Sequence, residues 1–161
     1  MDESAEEEEG KTLSPKLLVE LWQSAKKEEA PADEALAAFQ KFMVLHEDMH
    51  AVWDRLVEDP TTPLEVDGEN LLLHIAMDAA TEKALERNEP EGLPGVFALL
   101  LKGGFDQSRA FHVIAQAMEH EFLTAASQNQ EMTLDGFMSR AKEYAKQALE
   151  STQDYGNSSQ T

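Results

Sequence analysis

Between residues 13 and 150, apolar residues recur at steps of three and four, the spacing that lines side chains along one face of an α-helix. Ser14 followed by Pro15 marks a helix start, and Leu17, Leu18, Leu21, Trp22 and Ala25 supply its inner face before Pro31 interrupts the pattern. The second predicted helix spans about 32–58 and has the most regular stripe, formed by Leu36, Phe39, Met43, His46, His50, Trp53 and Val57. After a loop at 61–68, Asn70 is placed to cap a third helix that ends near Arg87, ahead of Pro90. A fourth covers about 94–102 and stops at Gly103-Gly104. Asp106 caps a fifth over about 107–127, and Thr133 caps a sixth that turns Leu134, Phe137, Met138, Ala141, Ala145 and Ala148 inward. No window alternates with period two across a β-branched run, so no strand is expected. The pattern predicts an all-α fold, a single helical bundle of five to six helices occupying residues 13–150.

Composition adds the two ends and the charge. Residues 1–12 read as a disordered acidic tail, because 1–10 hold six acids and no base and offer nothing apolar to bury. Residues 151–161, rich in Ser, Gln and Asn, read as a second disordered tail. The chain holds 32 acidic and 13 basic residues, a formal charge of −19. Without the first ten residues the balance is 26 against 13, or −13, so the folded part is acidic as well. Nucleic acid and anionic membrane surfaces are therefore excluded as partners on electrostatic grounds. The absence of cysteine leaves His, Asp and Glu as the side chains able to hold a metal. No apolar run is long enough for a membrane span, and an acidic stretch follows Met1, so a cytoplasmic protein is expected.

The chemistry sits in five histidines, His46, His50, His74, His112 and His120, all within predicted helices. On one continuous helix, His46 and His50 would stand a turn apart with their rings projecting the same way, a spacing that suits one cation. His74 and Asp78 repeat that spacing on the third helix, with Glu82 a turn further on. On the fifth, His112 shares a face with Gln116 and Glu119, and His120 is turned away from Glu119. The expected ligand set is His46, His50, His74, Asp78 and His112, converging in the core, with Glu82, Glu119 and His120 as supporting candidates. Mixed nitrogen and oxygen donors of this kind suit zinc, iron, manganese or nickel.

Two other chemistries compete with this reading. His46-Glu47-Asp48-Met49-His50 matches H-E-x-x-H, the zinc hydrolase pattern. Its extended form fails, because Trp53 stands where glycine is needed and Leu56 where a third histidine belongs. A diiron carboxylate site needs Glu-x-x-His on two helices, and Glu47-x-x-His50 is the only occurrence. The alternative from a different class is a non-catalytic interaction or homo-oligomerisation module whose histidines are hydrogen-bonded in the core.

Over about residues 40–130 the chain resembles a small bacterial all-helical family of unknown function. The likeness rests on Leu45-His46-x-x-x-His50, on Gly68-Glu69-Asn70-Leu71-Leu72-Leu73-His74, on Asn88-Glu89-Pro90-Glu91-Gly92-Leu93, and on His112 with Gln116. It implies that His46, His50, His74 and His112 are the shared set and that Glu47 is not. The family tends to have a second histidine at the position of Asp78 and a glutamate at that of Gln116. It has no established activity.

Overall fold

The computed structural model describes residues 13–158, with side chains to 152, so the expected acidic tail at 1–12 lies outside the described residues. Seven α-helices form among them: α1 (Pro15–Lys26), α2 (Glu34–Leu45), α3 (His50–Glu58), α4 (Leu71–Arg87), α5 (Leu93–Lys102), α6 (Gln107–Ser127) and α7 (Leu134–Ser158). A 3-10 turn at Glu47–Met49 separates α2 from α3, and strands β1 (Glu65–Val66) and β2 (Glu69–Asn70) form a small antiparallel hairpin. The all-α class stands, with one helix more than six because the second predicted helix is two.

The sequence holds the reason for that division. In a single helix through 32–58, Met49, Val52 and Leu56 would lie roughly 130° around the axis from Phe39 and Met43. All five are buried, and a straight helix turns only one such face to a core. The chain breaks at His46 and re-aims the second set. The loop expected at 61–68 likewise contains a tight reversal: Asp67 and Gly68 both take positive φ, 53° and 80°, as a two-residue hairpin requires. At the other end α7 runs to Ser158, eight residues past the predicted helix end at 150 and into the expected tail at 151–161. Gln and Ser are tolerated in helices, so a polar composition did not stop it.

The chain divides into two compact units, 1–75 and 76–161, with the boundary inside α4. The length of the chain had suggested one core. In the first unit α1 packs on α2 and α3. Leu18, Leu21 and Trp22 from α1 are buried with Phe39, Phe42 and Met43 from α2 and Val52, Trp53 and Leu56 from α3. Buried Gln40 ties chain segments together, its amide donating to the carbonyls of Leu21 (3.1 Å) and Glu29 (3.0 Å). Both bonds satisfy a side chain that would otherwise cost free energy to bury.

In the second unit α6 and α7 lie along each other and α5 packs on both. The buried alanines Ala110, Ala117, Ala141 and Ala145 let backbones approach, while Phe137, Leu93 and Leu100 are wholly buried. Asp106 and Thr133 start α6 and α7 as the sequence predicts, accepting from Arg109 N–H (2.8 Å) and Gly136 N–H (3.0 Å). Gly92 precedes α5 with φ 95°, and a Cβ there would stand 3.2 Å from Met138 Cε. Gly95 lies inside α5 with open space around it. Gly92→Ala is expected to destabilise the protein by about 1–2 kcal/mol through strain at positive φ. Gly95→Ala is expected to stabilise it by about 0.5–1 kcal/mol through helix propensity. Urea unfolding midpoints moving in opposite directions would bear this out; a shift of the same sign would contradict it.

Candidate metal centre

The hairpin feeds directly into α4. Val66 pairs with Glu69 and Glu65 with Asn70 across it, and Asn70 Oδ1 then accepts the Leu73 N–H at 3.1 Å. Asn70 is thus the cap that the sequence predicts, which places His74 in the fourth helical position and Glu69 just outside the helix. The His74 side chain is 13% exposed, and its Nδ1 lies 2.9 Å from Glu69 Oε1. That contact has the distance of a hydrogen bond without its full alignment, an ion-pair approach from a carboxylate 48% exposed.

His46 reaches the same place from α2. Its backbone N–H still donates to Phe42 O (3.1 Å), closing the helix, while its carbonyl accepts from Met49 N–H (3.0 Å), opening the 3-10 turn. With φ −88° and ψ 80° the residue leaves helical geometry, and its ring meets His74 edge to face with centroids 4.9 Å apart. Asp78 follows His74 by one turn of the same helix and is 5% exposed. One ligand atom each from His46, His74 and Asp78 lies within 4.8 Å of the others, and this group could hold a metal ion. Ligand atoms around a tetrahedral ion at about 2.0–2.1 Å sit roughly 3.4 Å apart, a closure within reach of small side-chain rotations.

The remaining predicted ligands are elsewhere. His50 opens α3 in place of continuing α2, and its Nε2–H donates to Val44 O at 2.8 Å. Val44 is in the last turn of α2, so the ring satisfies a carbonyl that the helix end leaves without an intrahelical donor. The ring also packs on Trp22, 4.9 Å between centroids. His46 and His50 therefore share no helix face, which removes the geometry that H-E-x-x-H requires. His112 is exposed on α6, and the reason was legible: it lies about half a turn from the stripe of Ala110, Ile114, Ala117 and Met118. Glu82 and Glu119 are half-buried on α4 and α6. His120 Nδ1 is 2.6 Å from the Tyr144 hydroxyl, whose oxygen also accepts from Arg140 Nη1 at 3.3 Å. Arg140 in turn pairs with Glu121 at 2.7 Å, and these two partners, Glu121 first, push the guanidinium pKa up. His120 thus belongs to a bracing network between α6 and α7.

The contribution of Glu69 was missed as a companion of His74 because the two are five apart in sequence, a spacing that matches no helical neighbour. The available signal was Asp67-Gly68, which reverses the chain just before Glu69. Comparison of the chain with protein-family models, with curated proteins and with solved structures finds no match.

A surface cluster flanks His50. Asp54 accepts from Lys26 Nζ (2.6 Å) and from Trp22 Nε1 (2.8 Å), and these bonds, Lys26 first, hold its carboxyl below the usual carboxylate range. A carboxyl with a depressed folded-state pKa stabilises the fold above its unfolded pKa, and that contribution fades as pH falls through the folded value. Asp54→Asn is therefore expected to lower the thermal midpoint slightly at neutral pH, with the difference from the parent shrinking as pH falls below about 4 and vanishing once pH passes the depressed folded-state value. Melting curves at several pH values check this. A deficit that persists unchanged in acid would point to lost shape complementarity and not to charge.

Proposed function

We propose that this chain is a cytoplasmic helical protein that binds one transition-metal ion through His46, His74 and Asp78. The observation that carries the reading is the mutual approach of three ligand atoms, two imidazole and one carboxylate, to within 4.8 Å. Zinc, iron, manganese and nickel are the metals this donor set suits. Three protein ligands leave room in the coordination sphere for water or a small ligand, the composition of reactive sites more than of closed structural ones. The kinship to the bacterial helical family belongs to the same proposal, since His46 and His74 are in its shared set. No helix among the described residues is long and apolar enough to cross a membrane, which accords with the cytoplasmic assignment.

One observation favours a second reading, that of an interaction or homo-oligomerisation module. His50 and His120 are held by protein partners, and Leu45 (60% exposed), Leu99 (57%) and Leu134 (54%) present apolar surface. The two readings separate on metal content. Protein purified without an affinity tag is expected to hold, or after chelation to take up, one equivalent of metal per chain by elemental analysis. His46→Ala, His74→Ala and Asp78→Asn should each lose it, while His50→Ala and His112→Ala should retain it. Parent protein that neither holds nor takes up metal would leave the interaction module as the function.

A further inference from the structure

We infer that Glu69 is the positioning residue of the metal centre: it holds the Nδ1 edge of His74, so that His74 ligates through Nε2. The inference rests on the metal-binding reading above and extends it to a residue outside the ligand set. The geometry begins with the helix entry. With Asn70 as the cap, Glu69 and His74 occupy the positions just before the cap and fourth in the helix, the pair that an apolar contact often fills to fix how a chain enters a helix. Here the pair is polar, a carboxylate 2.9 Å from a ring nitrogen whose side chain is 13% exposed. An ionised carboxylate only accepts, so its approach at 2.9 Å favours the His74 tautomer that carries its proton on Nδ1, in which Nε2 is the basic nitrogen.

That is the arrangement in which an outer carboxylate fixes the tautomer of a metal-bound imidazole, orients its ring and raises its basicity. The hairpin explains how the chain places Glu69 there. Asp67 and Gly68 reverse the backbone, Glu69 is pinned opposite Val66, and Asn70 caps α4, so consecutive residues turn the chain, position the carboxylate and start the helix. A contact serving only helix entry would be as well supplied by two apolar residues. A carboxylate facing an imidazole adds control over which nitrogen can bind a cation.

The test uses the full chain, purified untagged and stripped of metal, with Co²⁺ as the probe. Glu69→Gln is expected to weaken Co²⁺ binding about 10- to 100-fold and to shift the visible cobalt bands, with Glu69→Asp recovering part of the affinity. His74→Ala should abolish binding, marking the difference between a ligand and a residue acting through it. Equal affinity and an unchanged cobalt spectrum in Glu69→Gln would overturn the inference while leaving the metal site intact. Nitrogen-15 spectra of the metal-free protein supply an independent reading. The His74 proton should reside on Nδ1 in the parent and leave that preference in Glu69→Gln. If the parent binds no Co²⁺, the metal reading falls with its positioning residue, whichever tautomer is seen. If Co²⁺ binds but His74 carries its proton on Nε2, the inference about Glu69 fails alone.

Discussion

The termination of α2 at His46 is the constraint on which the first unit depends. A helix end leaves its last carbonyls without intrahelical donors, and the chain must supply others or leave them to water. His46 N–H closes the final bond to Phe42, and His50 reaches back from the next helix to donate to Val44. Between them the 3-10 turn rotates the chain so that Met49, Val52 and Leu56 are buried. Had the helix continued, Phe39 and Met43 could have been covered only by exposing that second set. At about 1.5–3 kcal/mol per large apolar side chain, burial outweighs the few hydrogen bonds sacrificed at a well-capped break. The same break frees His46 from helical register and lets its ring meet His74.

The start of α4 is the complementary device. Cap, turn and core anchor follow one another within a few residues: Asp67-Gly68 reverses, Asn70 caps, and Leu71 and Ile75 are buried at 1% and 0% exposure. Because Leu71 and Ile75 are locked into the core, the helical phase of His74 is fixed, and with it that of Asp78 one turn on. A side chain held through the backbone of a well-anchored helix is more narrowly positioned than one on a free loop. In the second unit the Glu121–Arg140–Tyr144–His120 chain of polar contacts joins α6 to α7.

Much of this was readable from residue types and spacing. Ser14, Asn70, Asp106 and Thr133 all cap where the sequence places them, since a short side-chain acceptor just before an apolar stripe has few other uses. The break at His46 was hidden because histidine counts as tolerable on an apolar face, so His46 and His50 bridged two stripes that differ in phase. The phase of Met49, Val52 and Leu56 was the contrary signal. Helix α4 was read correctly as bringing His74 and Asp78 to one side, because that relation is local to a single helix. Which residue from another element meets them is a matter of tertiary packing, and periodicity is blind to it. His112 is different: its position off the Ala110, Ile114, Ala117 and Met118 stripe was in the sequence, and the apparent ligand spacing with Gln116 merely described a wet face.

The described histidines separate by what each ring nitrogen is asked to do. His50 uses Nε2 as a donor to a backbone carbonyl, and its ring is sandwiched into the helix junction by Trp22. At His120 the neighbour is a hydroxyl: the Tyr144 oxygen accepts from Arg140 and lies 2.6 Å from His120 Nδ1, which ties the ring to α7. Each of these rings has a nitrogen committed to protein, and each commitment stabilises a specific junction. His46 and His74 place ring against ring, and one ligand atom of each lies within 4.8 Å of the other and of one from Asp78. The same imidazole thus serves as helix-end donor or strut according to whether its neighbour presents a carbonyl or a hydroxyl, and the ligand role proposed for His46 and His74 would be a third use. In a chain with a charge of −19, the surrounding field favours a cation at the last of these.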